Sequence, residues 1–181
     1  MVFWSDIDTS SIEMISIKDK TKFRYQGGPL RFQVPRGMCT WGVSGYKSFQ
    51  IELTDPNFIQ WWRDLEAQLC PVASGGPSPP FNSNLKKGAE PEHSLRIKID
   101  DSVYIFDQNS KQINPDVKEG LFRGQELSCL IDIDSTYFYN GNSGLTIRAY
   151  QIKTLSEAED DDAPDEEPVV LKSGVCAFLP I

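Results

Sequence analysis

Histidine is nearly absent from this 181-residue chain, where His93 stands alone, and the four cysteines, Cys39, Cys70, Cys129 and Cys176, lie far apart. Zinc is held by closely spaced pairs of such residues, so no metal site is expected and the cysteines read as reduced thiols. Also missing are a phosphate-cradling GxxxxGK, a dinucleotide-binding GxGxxG, a GxSxG elbow and any histidine placed for a catalytic triad. No enzyme and no cofactor are expected. Asp132 and Asp134 alternate along an apolar stretch in the manner of a solvated strand face, which argues against a magnesium site. No apolar run reaches the length of about 18 residues that a membrane helix needs, and Asp6 and Asp8 interrupt the N-terminal stretch. An intracellular protein without a membrane partner is the expectation.

What the chain does have is segregated charge. Its formal net charge is -8, and positions 156–168 hold eight acids, Glu157, Glu159, Asp160, Asp161, Asp162, Asp165, Glu166 and Glu167, with no base among them. The remainder is therefore neutral. A solvated acidic block with no apolar pattern cannot join a core, and such segments act by interaction. The predicted organisation is one domain over 1–155, an acidic tether over 156–168 and an apolar docking segment over 169–181 (VVLKSGVCAFLPI). That last segment returns to the protein's own sheet or to a second subunit, or else is a linear motif for a partner; docking onto the protein itself is favoured, because its apolar side chains left free would invite aggregation.

Within the domain the pattern is mostly β. Short extended runs over 12–18, 21–26 and 29–34, and an alternating run over 46–53, predict an antiparallel N-terminal sheet. A single helix follows: Thr54 or Asp55 caps it, Pro56 occupies its first turn, and Phe58, Trp61, Trp62, Leu65 and Leu69 recur at helical spacing up to Cys70-Pro71. Its tryptophans are expected to plug the end of a sheet or barrel. The Pro-, Gly- and Ser-rich stretch that opens at Pro71, with Lys86 and Lys87 at its basic end, predicts a long loop over 71–90, either a cover for a binding surface or a plain insertion.

Two stretches carry candidate chemistry. In LRIKIDDSVYIF, two alternating runs meet at Asp100-Asp101-Ser102, and a hairpin there would place Lys98 opposite Tyr104 and Arg96 opposite Phe106 on one face, with aliphatic residues on the other. Rings stack nucleobases and neighbouring cations follow phosphates, although such pairs also stabilise ordinary sheet surfaces. Near the N-terminus Lys18, Lys20, Lys22 and Arg24 fall at every second residue, followed by Arg31 and Arg36, so an extended chain would project cations from a common side. A strong hairpin signal closes the domain: apolar alternation from Leu127 to Ile133, the aromatic run from Tyr137 to Tyr139, a turn at Asn140-Gly141, and a strand with Arg148 and Tyr150 on its outer side.

The stretch GQELSCLIDIDSTYFYNGNSGLTIRAYQI, together with the earlier YKSFQIEL and the Trp-rich helix, resembles the oligonucleotide-binding (OB) fold single-stranded DNA-binding proteins of large DNA viruses and podophages. The resemblance implies a mainly β fold, an OB-like five-stranded barrel or compact antiparallel fold with one helix and an acidic C-terminal extension. It further implies a groove for single-stranded DNA (ssDNA) built from Lys18, Lys20, Lys22, Arg24, Arg31, Arg36, Arg96, Lys98, Tyr104, Phe106, Arg148 and Tyr150. Replication, recombination or repair would be its setting, in the host nucleus or cytoplasm if viral. The acidic segment would compete for the groove and reach a polymerase, helicase or primase, and a homodimer is compatible with the sheet edges. Two departures from the family stand out: apolar residues follow the acidic segment, and the body lacks a basic excess. The alternative is a structural virion component, a β-sandwich with a subunit-swapped C-terminal strand.

Overall fold

The computed structural model describes residues 2–18, 20–70, 80–87, 93–155 and 176–178. In chain order the strands are β1 (Ile12–Ile17), β2 (Lys20–Tyr25), β3 (Gly28–Gln33), β4 (Gly37–Cys39) and β5 (Ser48–Leu53), then helix α1 (Pro56–Leu69). There follow β6 (Phe81–Asn82), β7 (Leu85–Lys87), β8 (His93–Lys98), β9 (Tyr104–Phe106), β10 (Gln112–Ile113), β11 (Gln125–Tyr139) and β12 (Asn142–Thr154). Phe3 adds an isolated parallel bridge to Gln33, and two short 3-10 turns precede β1.

The organising pair is the long hairpin of β11 and β12. Asn140 and Gly141 both take positive φ, 49° and 73°, the backbone of the tight turn whose twist matches that of its strands. From this hairpin the sheet runs β1-β2-β3-β11-β12-β8-β5 and curls into a half-barrel, an OB-like arrangement. Irregularities at Leu130/Ile131 and Ile133/Ser135 bend β11 so that it can serve β2, β3 and β4 along its length. The fold is thus more elaborate than five strands, and β12 makes it mixed: it pairs antiparallel with β11 and parallel with β6, β8 and β9.

The alternating sequences sort their apolar members inward. Leu30, Phe32, Ile51, Leu53, Leu95, Ile97, Ile131, Ile133 and Ile147 are all buried. Helix α1 closes one side as expected: the Asp55 carboxylate accepts from the backbone N–H of Asn57 at 2.9 Å and of Phe58 at 3.3 Å, and Pro56 follows where an N–H is not needed. Its apolar stripe sinks Phe58, Trp62, Leu65 and Leu69 into the core, while Trp61 packs edge-on against Phe32 with ring centroids 5.3 Å apart.

One predicted element is replaced. The run from Leu95 to Phe106 is not a hairpin: β8 and β9 never pair with each other, and both lie parallel to β12, one after the other, with Arg148 beside Lys98 and Gln151 beside Tyr104. Asp100-Asp101-Ser102 is a jog in that line, held by the Asp100 carboxylate accepting from the Ser102 N–H at 2.9 Å. The alternation reads the buried face correctly, since Leu95, Ile97, Ile99 and Ile105 all face the core. It cannot choose the partner strand, and the long edge of β12 offers pairing to both segments at once.

Candidate nucleic-acid interface

The predicted site residues divide into four groups. Lys18 sits in the exposed turn after β1, and Lys20, Lys22 and Arg24 do project from one exposed side of β2, with Phe23 and Tyr25 turned inward. Arg31 is engaged elsewhere: it makes a two-pronged pair with Asp132, Nε to Oδ1 at 2.6 Å and the second prong at 2.8 Å, and its guanidinium lies 3.2 Å above the Tyr150 ring centre. Burial works against its charge, but the bonds and charge of Asp132 prevail and hold its pKa above the ordinary arginine value. Arg36 pairs at 3.4 Å with Glu126.

The third group lies beside the jog. Arg148 bonds Asp100 at 3.0 Å, and the Asp100 carboxyl is held below its usual range, chiefly by the Ser102 hydroxyl, with its backbone N–H and Arg148 adding to the effect. Tyr104 meets Tyr150 edge-on at 5.7 Å, so one face of Tyr150 carries Arg31 and its surroundings carry a second ring. Phe106 is a correction. It is 1% exposed and packs edge-on against Phe178, because pairing β9 to β12 turns its side chain under the returning C-terminal residues.

The fourth group, Arg96 and Lys98, opens onto the most telling surface of the molecule. With β5 rather than β9 as neighbour, Arg96 stands beside Gln50 and Lys98 beside Ser48, both cations exposed. They line a groove of about 460 Å³ between β8 and the tip of the β11–β12 hairpin. Lys20 enters it from β2, Lys86 from β7, and Tyr137, Phe138 and Tyr139 from the hairpin tip. Four cations and three rings therefore face one open channel, and none of the lining residues is acidic. Among the described residues none of the four cations is ion-paired; the pairs of Arg31, Arg36, Lys47 and Arg148 lie outside the groove. In a chain of net charge -8 this is a concentrated positive strip.

Two packing details shape the channel. Gly144 lets the Tyr137 ring lie against the backbone of β12, since a Cβ there would fall 2.6 Å from the phenolic oxygen. On the opposite wall Glu66, buried on α1, accepts from the Ser83 hydroxyl at 2.5 Å and the Asn84 N–H at 2.7 Å, which pins the β6–β7 connection to the helix. The Asn84 carbonyl in turn accepts from the Arg96 N–H at 3.0 Å, so the wall is tied to the cation-bearing strand.

Sequence reading overlooked half of this groove. In sequence Tyr137 to Tyr139 read only as the start of a strand, and Lys86 only as the basic end of a loop. The available signal was three successive aromatics next to an Asn-Gly turn: two of them, Phe138 at 52% and Tyr139 at 72%, remain exposed where a strand would normally bury one side. The acidic residues of 156–168 lie outside the described residues, as does most of 169–181. Of the latter, Ala177 donates its N–H to the Gln151 side chain at 3.0 Å, next to the Phe178 contact on Phe106.

No helix among the described residues is long and apolar enough to cross a membrane, and they contain no cluster of metal-ligating side chains. No protein-family model matches the sequence, and no curated protein matches it. The fold, however, is similar to that of the ssDNA-binding protein of bacteriophage Enc34. A C-terminally truncated form of that protein aligns at TM-score 0.51 and 10% identity over 83% of this chain and 98% of its own. The untruncated protein aligns at 0.51 and 10% over 86% and 96%, and its complex with ssDNA at 0.52 and 9% over 82% and 96%. The resemblance is one of fold: an OB-like half-barrel with one helix, shared with a phage ssDNA-binding protein.

Proposed function

We propose that this protein binds ssDNA without catalysing a reaction on it, and that the strand lies in the groove between β8 and the tip of the β11–β12 hairpin. The observation that carries the reading is the convergence of Lys20, Lys86, Arg96 and Lys98 with Tyr137, Phe138 and Tyr139 around one open, acid-free channel. Bases stack on rings whatever their identity, and cations spaced along the wall follow the phosphates, so the arrangement suits sequence-tolerant binding of an unpaired strand. The fold shared with an ssDNA-binding protein solved with its ligand supports the same reading. Lys22, Arg24, Tyr104 and Arg148 would extend the contact surface beyond the groove.

The acidic segment 156–168 then acts as a regulator. Chain contacts bracket it: the Leu155 N–H donates to the Glu126 carbonyl at 2.8 Å on one side, and Ala177 and Phe178 meet Gln151 and Phe106 on the other. Both anchors sit at the far end of β12 from the hairpin tip. In this reading the segment would compete with phosphates for the cationic and aromatic surface, and its displacement by DNA would free it for a polymerase, helicase or primase in replication, recombination or repair.

The test is an anisotropy titration with labelled oligo-dT. Replacing Phe138 and Tyr139 by alanine should weaken binding by roughly 5- to 150-fold per lost stacked base, with thermal stability unchanged because both rings are exposed. Wild-type affinity retained by the double variant would refute the groove.

A further inference from the structure

Two aromatic side chains outside the groove are held out in water by a loop that is otherwise well tied down. Trp41 is 76% exposed and Tyr46 is 87% exposed, both in the connection from β4 to β5. The other three tryptophans are packed: Trp62 and Trp4 are buried, and Trp61 stacks on Phe58. A tryptophan on a surface loop gives up a large apolar area to water, which an unconstrained chain avoids by folding the ring down.

This loop has no such freedom. The Val43 N–H donates to the Leu121 carbonyl at 2.8 Å and the Val43 carbonyl accepts from the Gly120 N–H at 2.8 Å. Ser44 closes back on Ser48 at 2.7 Å, and the Lys47 carbonyl accepts from the Ile99 N–H at 3.0 Å. The rings are therefore presented from a fixed frame, which lowers the entropy lost when a ligand stacks on them.

The frame also adjoins the groove. Tyr46 precedes by two residues Ser48, the register partner of groove-lining Lys98, and the Ser48 hydroxyl accepts from the side chain of groove-lining Arg96 at 3.2 Å. A strand that leaves the groove past Lys98 toward the start of β5 would meet this loop, which leads directly into β5. Building on the ssDNA reading above, we infer that Trp41 and Tyr46 form a second base-stacking station, used only by strands long enough to run past Lys98.

The experiment uses the full chain and 5′-labelled oligo-dT of increasing length, with binding read by anisotropy and tryptophan emission read in parallel. Oligomers of about 4 nucleotides should bind without quenching, whereas those of about 16 nucleotides should quench the exposed tryptophan. Trp41→Ala should abolish the quenching, and Trp41→Ala or Tyr46→Ala should weaken long oligomers by roughly 5- to 150-fold while leaving short ones unaffected. Trp41→Phe should keep most of the affinity. Long oligomers that bind without quenching, and with unchanged affinity for both alanine variants, would overturn the second station and leave the groove standing. Failure of any oligomer to bind would instead overturn the ssDNA reading itself.

Discussion

Salt dependence offers the sharpest check on the groove because the cation count sets the expected number. Four cations, Lys20, Lys86, Arg96 and Lys98, face the channel, none of them in an ion pair among the described residues. If each neutralises one phosphate of an oligomer short enough to stay within the groove, log affinity should fall with log salt at a slope of about -2.8, so a rise from about 50 to 200 mM costs roughly 50-fold. Arg96→Ala combined with Lys98→Ala removes two contacts, and the slope should drop to about -1.4, roughly a 7-fold loss over the same range. Arg36→Ala serves as the control: it removes the same charge type from a site paired with Glu126 and outside the groove. Binding of oligo-dT by anisotropy across a salt series measures all three. An unchanged slope in the double variant, or an equal drop in the Arg36 control, would show that the phosphates run elsewhere.

Other outcomes follow from single contacts. Glu66→Ala leaves the Ser83 hydroxyl and the Asn84 N–H without their acceptor, which should cost about 1–3 kcal/mol in denaturant unfolding and loosen the groove wall enough to weaken oligo-dT binding. Phe106→Ala empties a fully buried position and should destabilise the fold by about 3–5 kcal/mol by the same assay; a stable variant with selectively lost DNA binding would restore Phe106 as a stacking residue. Burial pushes the Cys39 thiol up to about 11 and raises Cys129 further still. Both should therefore resist thiol-specific labelling near neutral pH until the protein is unfolded, as counted by mass spectrometry.

The local elements are legible because their causes are local. The helix is written in a capping aspartate, a first-turn proline and an apolar stripe, and the β11–β12 hairpin in an Asn-Gly pair between alternating runs. The outward set on β2 follows from strict alternation, whatever strand lies beside it. Burial of Leu95, Ile97 and Ile105 was legible for the same reason.

Partner choice was not. Alternation states which side chains share a face but not which strand lies alongside, so in sequence the jog at Asp100 reads as a reversal and Phe106 as a surface residue, whereas Phe106 is buried. The pairing of β8 and β9 with β12 depends on a long edge supplied by residues some fifty positions later in the chain. The groove shows the same division: sequence alone determined that cations would project from β2 and β8 and that rings would flank the Asn-Gly turn. Only the curl of the half-barrel, which brings the hairpin tip, β8, Lys20 and Lys86 around one groove, sets them on a common surface.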